Sequence, residues 1–201
     1  MLAILPQIEQ APLFDAYNFN LAAWDKCNQT VVERLVESYL CPSEPPPDQA
    51  FVVTMAGERL EMAYASYVGN LGSDYIVDYF DYGPAQQPDG VLFRRSSVRA
   101  GDITDGTSHT LMVGERVHPD PLLRPVWAFG ATGKVVGDTS SEILTPSDWR
   151  VSWGFSSYHT SGAQFVMADG SVTTLSRSLD LQLFRSLSTR AGAESTAQSA
   201  Y

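Results

Sequence analysis

Residues 162–176 read GAQFVMADGSVTTLS, two alternating apolar and polar stretches on either side of Asp169-Gly170. An Asp-Gly pair in this setting predicts a tight antiparallel hairpin. A two-residue type I′ turn needs positive φ at both central positions, which Asp tolerates and Gly prefers. In that register Met167 faces Val172 and Phe165 faces Thr174. Phe165, Met167 and Val172 then share one face and bury against the rest of the fold. The chain is thereby committed to a sheet, and the remaining residues must supply its other strands and its cover.

At 201 residues and 44% hydrophobic, the chain is long enough for one substantial core, and a single domain spanning residues 1–201 is expected. TLMVGE, residues 110–115, reads as a short buried strand. The region 62–93 reads as aromatic strand pieces joined by long turns, with PDG at 88–90 leading into a strand. CPSEPPPDQA, residues 41–50, has four prolines in ten residues and is expected to be an extended loop. The segment 117–153 shows no period and is read as loops anchored by tryptophans. SRSLDLQLFRSL, residues 176–187, suits a short amphipathic helix or an edge strand, and residues 188–201 are expected to fray. Strands dominate, so the fold class is α+β with an antiparallel sheet and few helices.

The formal net charge of −10, from 23 acidic and 13 basic residues, opposes binding to nucleic acid, whose affinity rests on clustered Lys and Arg. No run of 18 apolar residues is present to span a bilayer, and the opening MLAILPQIEQAPLF lacks the basic start of a secretory signal.

Cys27 and Cys41 are too few for a disulfide scaffold, and neither has a zinc-type partner at close spacing, so a thiolate metal site is not expected. Between them TVVERLVESYL has apolar residues at 31, 32, 35, 36, 39 and 40, with Thr30 and Glu33 placed as a capping box. A straight helix would hold the two cysteines ~20 Å apart, against the ~5.5 Å between α-carbons that a disulfide needs. A Cys27–Cys41 bridge therefore requires the helix to end near Val36.

His159 stands ten residues before Asp169. If 163–168 is a strand at ~3.3 Å per residue, Ala163 lies ~20 Å from Asp169, and the four residues back to His159 recover at most ~13 Å. The two should not touch, which argues against a catalytic pair and for a turn at one end of the hairpin with a structural imidazole at the other. Serine hydrolase chemistry lacks its G-x-S-x-G elbow, and Ser108 beside His109 would point to opposite strand faces. Asp74, Asp78 and Asp81 could present oxygens to calcium, although no EF-hand loop is present and acidic residues in Gly-rich loops commonly form turns. No other cofactor is expected.

Several segments in order, ILPQIEQAPLFDAYNFN, YLCPSEP, ASYVGNLG, DGVLFRRSSVRAGDITDGTSHTLMVGER and the closing His-x9-Asp-Gly, resemble the DUF1559 proteins, which carry a prepilin-type processing-associated H-X9-DG domain. The resemblance covers residues 4–176. It assigns the signature to His159, Asp169 and Gly170, and a second block to residues 104–115, including Asp105, Gly106 and Glu115. His109 stands where the family pattern commonly has Asn, and Tyr158 where a basic residue often precedes the histidine.

The resemblance implies an extracytoplasmic bacterial protein, at the cell surface or in the periplasm, akin to type IV pilins and type II secretion pseudopilins, in which a long N-terminal helix lies on an antiparallel sheet. The sequence given would then be such a globular domain without its hydrophobic N-terminal helix, residues 1–20 being the remnant of that region. The function expected is a non-enzymatic subunit of a surface or secretion assembly, with protein subunits as partners and a membrane link only through the helix. The alternative is an extracellular module for solute, glycan or peptide, using the loops around Tyr64, Tyr67, Tyr75, Tyr79 and Tyr82; an older family label of solute-binding protein points the same way.

Overall fold

The computed structural model describes residues 1–45, 51–55, 58–74, 87–93, 95–128 and 132–193. The chain opens with a 3₁₀ turn, Leu2–Ile8, and a short helix α1, Ala11–Ala16. Helix α2, Gln29–Val32, lasts one turn, and Val36 is already extended at φ −112° and ψ 104°. The helix expected across 30–40 is thus cut short, and Asn28, not Thr30, occupies its N-cap. Two carbonyls are drawn elsewhere: Val32 O accepts from the Ala63 amide at 2.9 Å, and Tyr39 O accepts from the Ser66 amide at 2.8 Å. Pairing with a neighbouring segment here outweighs local helical periodicity.

Strands β1, Phe51–Met55, and β2, Glu58–Met62, form a separate antiparallel pair. The main sheet contains β3, Tyr67–Gly72, and β4, Leu111–Glu115, followed by a one-turn helix α3, Thr132–Val135, that leads into β5, Val136–Asp138. Strands β6, Gly162–Met167, and β7, Val172–Ser176, then precede helix α4, Leu181–Ser186. The order across the sheet is β5-β3-β4-β6-β7. Every pairing is antiparallel except β3 with β5, which is parallel, so the sheet is mixed and the class is α+β. No helix among the described residues is long and apolar enough to cross a membrane.

The hairpin forms where expected, but its register is one residue away from the expected one. Val166 pairs with Val172 and Phe165 with Thr173, because the loop has three residues. The Gly170 amide donates to Met167 O and the Met167 amide to Ser171 O. Only Gly170 takes positive φ, at 89°, which is the type I turn with a G1 bulge rather than type I′. Ala163, Phe165, Met167 and Leu175 are buried as one face, whereas Val172 moves to the other face and is 66% exposed.

Two apolar clusters result among the described residues. One gathers Leu5, Val31, Val32, Val36, Tyr39, Tyr64 and Trp127 beneath the N-terminal segment. The other lies on the inner face of the sheet, where Phe155, Phe165 and Phe184 meet edge to face at centroid distances of 5.1 to 6.1 Å. Asp180 caps α4 by accepting from the Leu183 amide at 3.0 Å, so within 176–187 a short helix forms at 181–186 in place of an edge strand.

Of the tail expected to fray, residues 188–193 are hydrogen-bonded to the body of the fold, and 194–201 lie outside the described residues. Buried Asn70 donates to Ser188 O at 3.0 Å, and Arg190 donates to Pro88 O and Gly90 O at 2.6 and 2.7 Å. Residues 87–93 are thereby tied to the sheet without forming the strand predicted there.

Candidate functional site

Cys41 enters the sheet's margin because its amide donates to Ser66 Oγ at 2.8 Å, and Ser66 precedes β3 directly. Glu115 is the last residue of β4, paired with Tyr67 of β3, and it is fully buried. Its Oε2 accepts from the Gln164 amide of β6 at 2.9 Å, so the carboxylate is fixed by the neighbouring strand. His159 approaches from the segment before β6. Its amide donates to Ser157 Oγ at 3.0 Å, and its carbonyl accepts from Arg177 Nη2 at 3.0 Å.

The three side chains converge. His159 Nε2 lies 3.6 Å from Cys41 Sγ and 3.4 Å from Glu115 Oε1. Their ligand atoms all fall within 4.8 Å of one another. Burial first, then the Glu115 carboxylate, pushes the Cys41 thiol up to about 11. Burial, then the acidic groups of Cys41, Glu115 and Glu44, pushes Tyr67 up to about 12. Glu115 Oε1 makes no hydrogen bond of ordinary geometry.

This arrangement is not a nucleophile–base–orienter line. In such a relay the nucleophile and the carboxylate engage opposite ring nitrogens, whereas here both face Nε2. A raised thiol is also the opposite of an activated one.

His159 and Asp169 share no contact, as the length of the hairpin requires. Asp169 Oδ1 accepts from the Ser171 amide and hydroxyl at 2.9 and 2.7 Å. Those bonds, with a smaller contribution from the His109 charge, hold its carboxyl below the usual range. Asp169 and Gly170 build the turn.

Asp105 anchors the C-terminal segment, accepting from Thr189 Oγ1, the Gly192 amide and the Ala193 amide at 2.9, 2.7 and 3.0 Å. Gly106 follows at φ 98° and starts a 3₁₀ turn, Thr107–His109. Because Ser108 and His109 occupy that turn and not a strand, their Oγ and Nδ1 lie 3.1 Å apart on the exposed surface, contrary to the expectation of opposite faces.

Cys27 and Cys41 are free thiols, exposed and buried respectively, so the candidate bridge is not made. Of the calcium candidates, Asp74 is exposed, while Asp78 and Asp81 lie outside the described residues. Of the tyrosines, Tyr64 is buried with the Arg124 guanidinium 5.3 Å from its ring centroid, and Tyr67 adjoins Glu115. Tyr75, Tyr79 and Tyr82 lie outside the described residues.

The sheet's other face carries an apolar groove of about 420 Å³. Met1, Ile4 and Ile8 form one wall, and Met112, Val166 and Val172 form the floor. Tyr67 and Gln164 border both this groove and the Cys41–Glu115–His159 cluster.

No curated protein and no solved structure matches the chain. The family described as Protein of unknown function (DUF1559) matches residues 1–153 and 147–182, and the chain belongs to that family.

Proposed function

We propose that the chain is a non-enzymatic, extracytoplasmic subunit of a pilin-like surface or secretion assembly, in which the groove on the outer sheet face receives an apolar helix of a neighbouring subunit. The observation that carries this reading is the groove itself. Val172 is 66% exposed at its floor, and Ile4, 49% exposed, stands in its wall. Contiguous apolar surface of this kind marks an interaction site, and helix-in-groove docking is a recurrent way to fill one. Membership of the DUF1559 family is compatible with the reading, and the resemblance of the run from His159 to Asp169-Gly170 to a prepilin-type signature supports it.

A solute-binding module is the competing reading, since the groove's volume of about 420 Å³ lies within the usual range for ligand sites. Such sites also set convergent polar groups among apolar walls. Here the Tyr39 hydroxyl is occupied by Met1 O at 2.9 Å, and hydrocarbon dominates the remaining lining. That composition favours a helix over a hydrophilic solute.

A photo-crosslinking residue at Val172, in the chain produced by its native cells, tests the assignment. Adducts mapping by mass spectrometry to an apolar helix of a pilin-like subunit or of a second copy are expected. A crosslink-free chain, or labelling confined to small solutes, would overturn it.

A further inference from the structure

We propose that Cys41 Sγ, Glu115 Oε1 and His159 Nε2 form a binding site for a single zinc-class divalent ion, with one coordination position left open toward solvent. The inference is independent of the groove and of any assembly role.

The first support is distance. Zinc bonds of about 2.3 Å to sulfur and about 2.0–2.1 Å to nitrogen and oxygen, set at tetrahedral angles, place S and N about 3.6 Å apart and N and O about 3.4 Å apart. The observed separations are 3.6 Å for Cys41 Sγ to His159 Nε2 and 3.4 Å for His159 Nε2 to Glu115 Oε1. Two of the three ligand–ligand edges thus already have the lengths a coordination tetrahedron requires, and the third pair, Cys41 and Glu115, lies within 4.8 Å.

The second support is the Glu115 carboxylate. It is 0% exposed; Oε2 is held by the Gln164 amide, while Oε1 makes no hydrogen bond of ordinary geometry and faces His159 Nε2 at 3.4 Å. A buried carboxylate oxygen without a well-formed hydrogen bond is costly, and a cation set between the three side chains removes that cost.

The third is the outer support of each ligand. The Cys41 amide is tied to Ser66 Oγ, the His159 carbonyl to Arg177, and Glu115 Oε2 to β6. The first two bonds fix the backbone from which Cys41 and His159 project, and the third orients the Glu115 carboxylate itself before a metal arrives.

Ligand chemistry selects the ion. A thiolate, an imidazole and one carboxylate suit zinc or cobalt, whereas calcium requires six to eight oxygens. On binding, the Cys41 thiol gives its proton to solvent and the thiolate donates to the metal. The His159 side chain is 30% exposed, which gives the ion a path in and leaves the fourth position to water or to an incoming ligand atom.

The test is a cobalt(II) titration of the metal-free full chain under anaerobic, reducing conditions. One equivalent should produce a thiolate-to-cobalt charge-transfer band and tetrahedral ligand-field bands, both displaced by zinc. Cys41→Ser should abolish the charge-transfer band. His159→Ala and Glu115→Gln should each weaken binding about tenfold or more. Cys27→Ser should change nothing, because that exposed thiol lies outside the cluster. A wild type without the band, or a band lost in Cys27→Ser and kept in Cys41→Ser, overturns the proposal. If Cys41→Ser does not fold, the decision passes to His159→Ala, whose partly exposed side chain leaves the core intact; unchanged cobalt affinity there overturns it equally.

Discussion

Cys41 and Cys27 belong to one chain but meet opposite surroundings. Burial and the Glu115 carboxylate push Cys41 up to about 11, while Asp25, by hydrogen bond and charge, raises the exposed Cys27 thiol. Since the thiolate is the reacting species, iodoacetamide at pH 8 should modify the metal-free native chain at Cys27, more slowly than a free thiol, and leave Cys41 untouched until denaturant is added. Peptide mass mapping reads the outcome, and native labelling at Cys41 would contradict its placement. Each of the three clustered residues was visible in the sequence for its own reason: His159 as the signature histidine, Glu115 as the end of a strand, Cys41 as a disulfide candidate. Their convergence was not visible. It depends on the pairing of β3 with β4 and of β4 with β6, and on a bond from Cys41 to Ser66, none of which leaves a mark in residue spacing.

Among the elements, the β6–β7 hairpin shows how far pattern reading reaches. Alternation and Asp-Gly gave both strands, yet not the register, because Asp-Gly serves a two-residue type I′ turn and a three-residue G1-bulged turn alike. One extra loop residue carried Val172 from the core face to the groove floor. A similar limit applied to α2, where apolar spacing continued but the carbonyls of Val32 and Tyr39 were taken by Ala63 and Ser66. The hairpin assignment predicts a defined cost for one substitution. Gly170 sits at φ 89°, and an added Cβ would meet nothing within 4 Å, so Gly170→Ala carries only the backbone penalty of the left-handed region. That penalty is about 1–2 kcal/mol. Urea denaturation should show the loss as a lower midpoint with an unchanged slope; a neutral substitution would mean that the turn is not of this type.

The molecule as a whole is acidic outside and stapled by arginine within. Its irregular segments are long, and their backbone carbonyls still need donors where they are buried. Arg177 bonds the carbonyls of Leu144, Ser157 and His159, and Arg124 bonds those of His118 and Pro45. Arg190 does the same for Pro88 and Gly90. Arg116 is the most enclosed. It is 0% exposed and donates from Nε to Gly154 O at 2.8 Å, from Nη1 to Ser152 O at 3.2 Å, and from Nη2 to Val136 O and Trp153 O at 2.8 and 2.9 Å. Burial lowers its pKa to about 10, which still leaves it charged at neutral pH. Because bonds from a charged donor contribute about 1.5–3 kcal/mol each, Arg116→Met should cost roughly 3–5 kcal/mol even with partial relaxation. A loss of that size is a large part of the ~5–15 kcal/mol that holds a typical domain folded. Arg116→Lys should recover little, since an ammonium cannot reach carbonyls fanned around a planar guanidinium. Denaturation curves give the magnitude. Hydrogen exchange gives the location, since the Asp138 amide, bonded to Trp153 O at 2.8 Å, should lose protection first as β5 detaches from β3. A destabilisation below about 1 kcal/mol, or exchange that rises evenly over the sheet, would show that these loops are held by side-chain packing and not by the guanidinium.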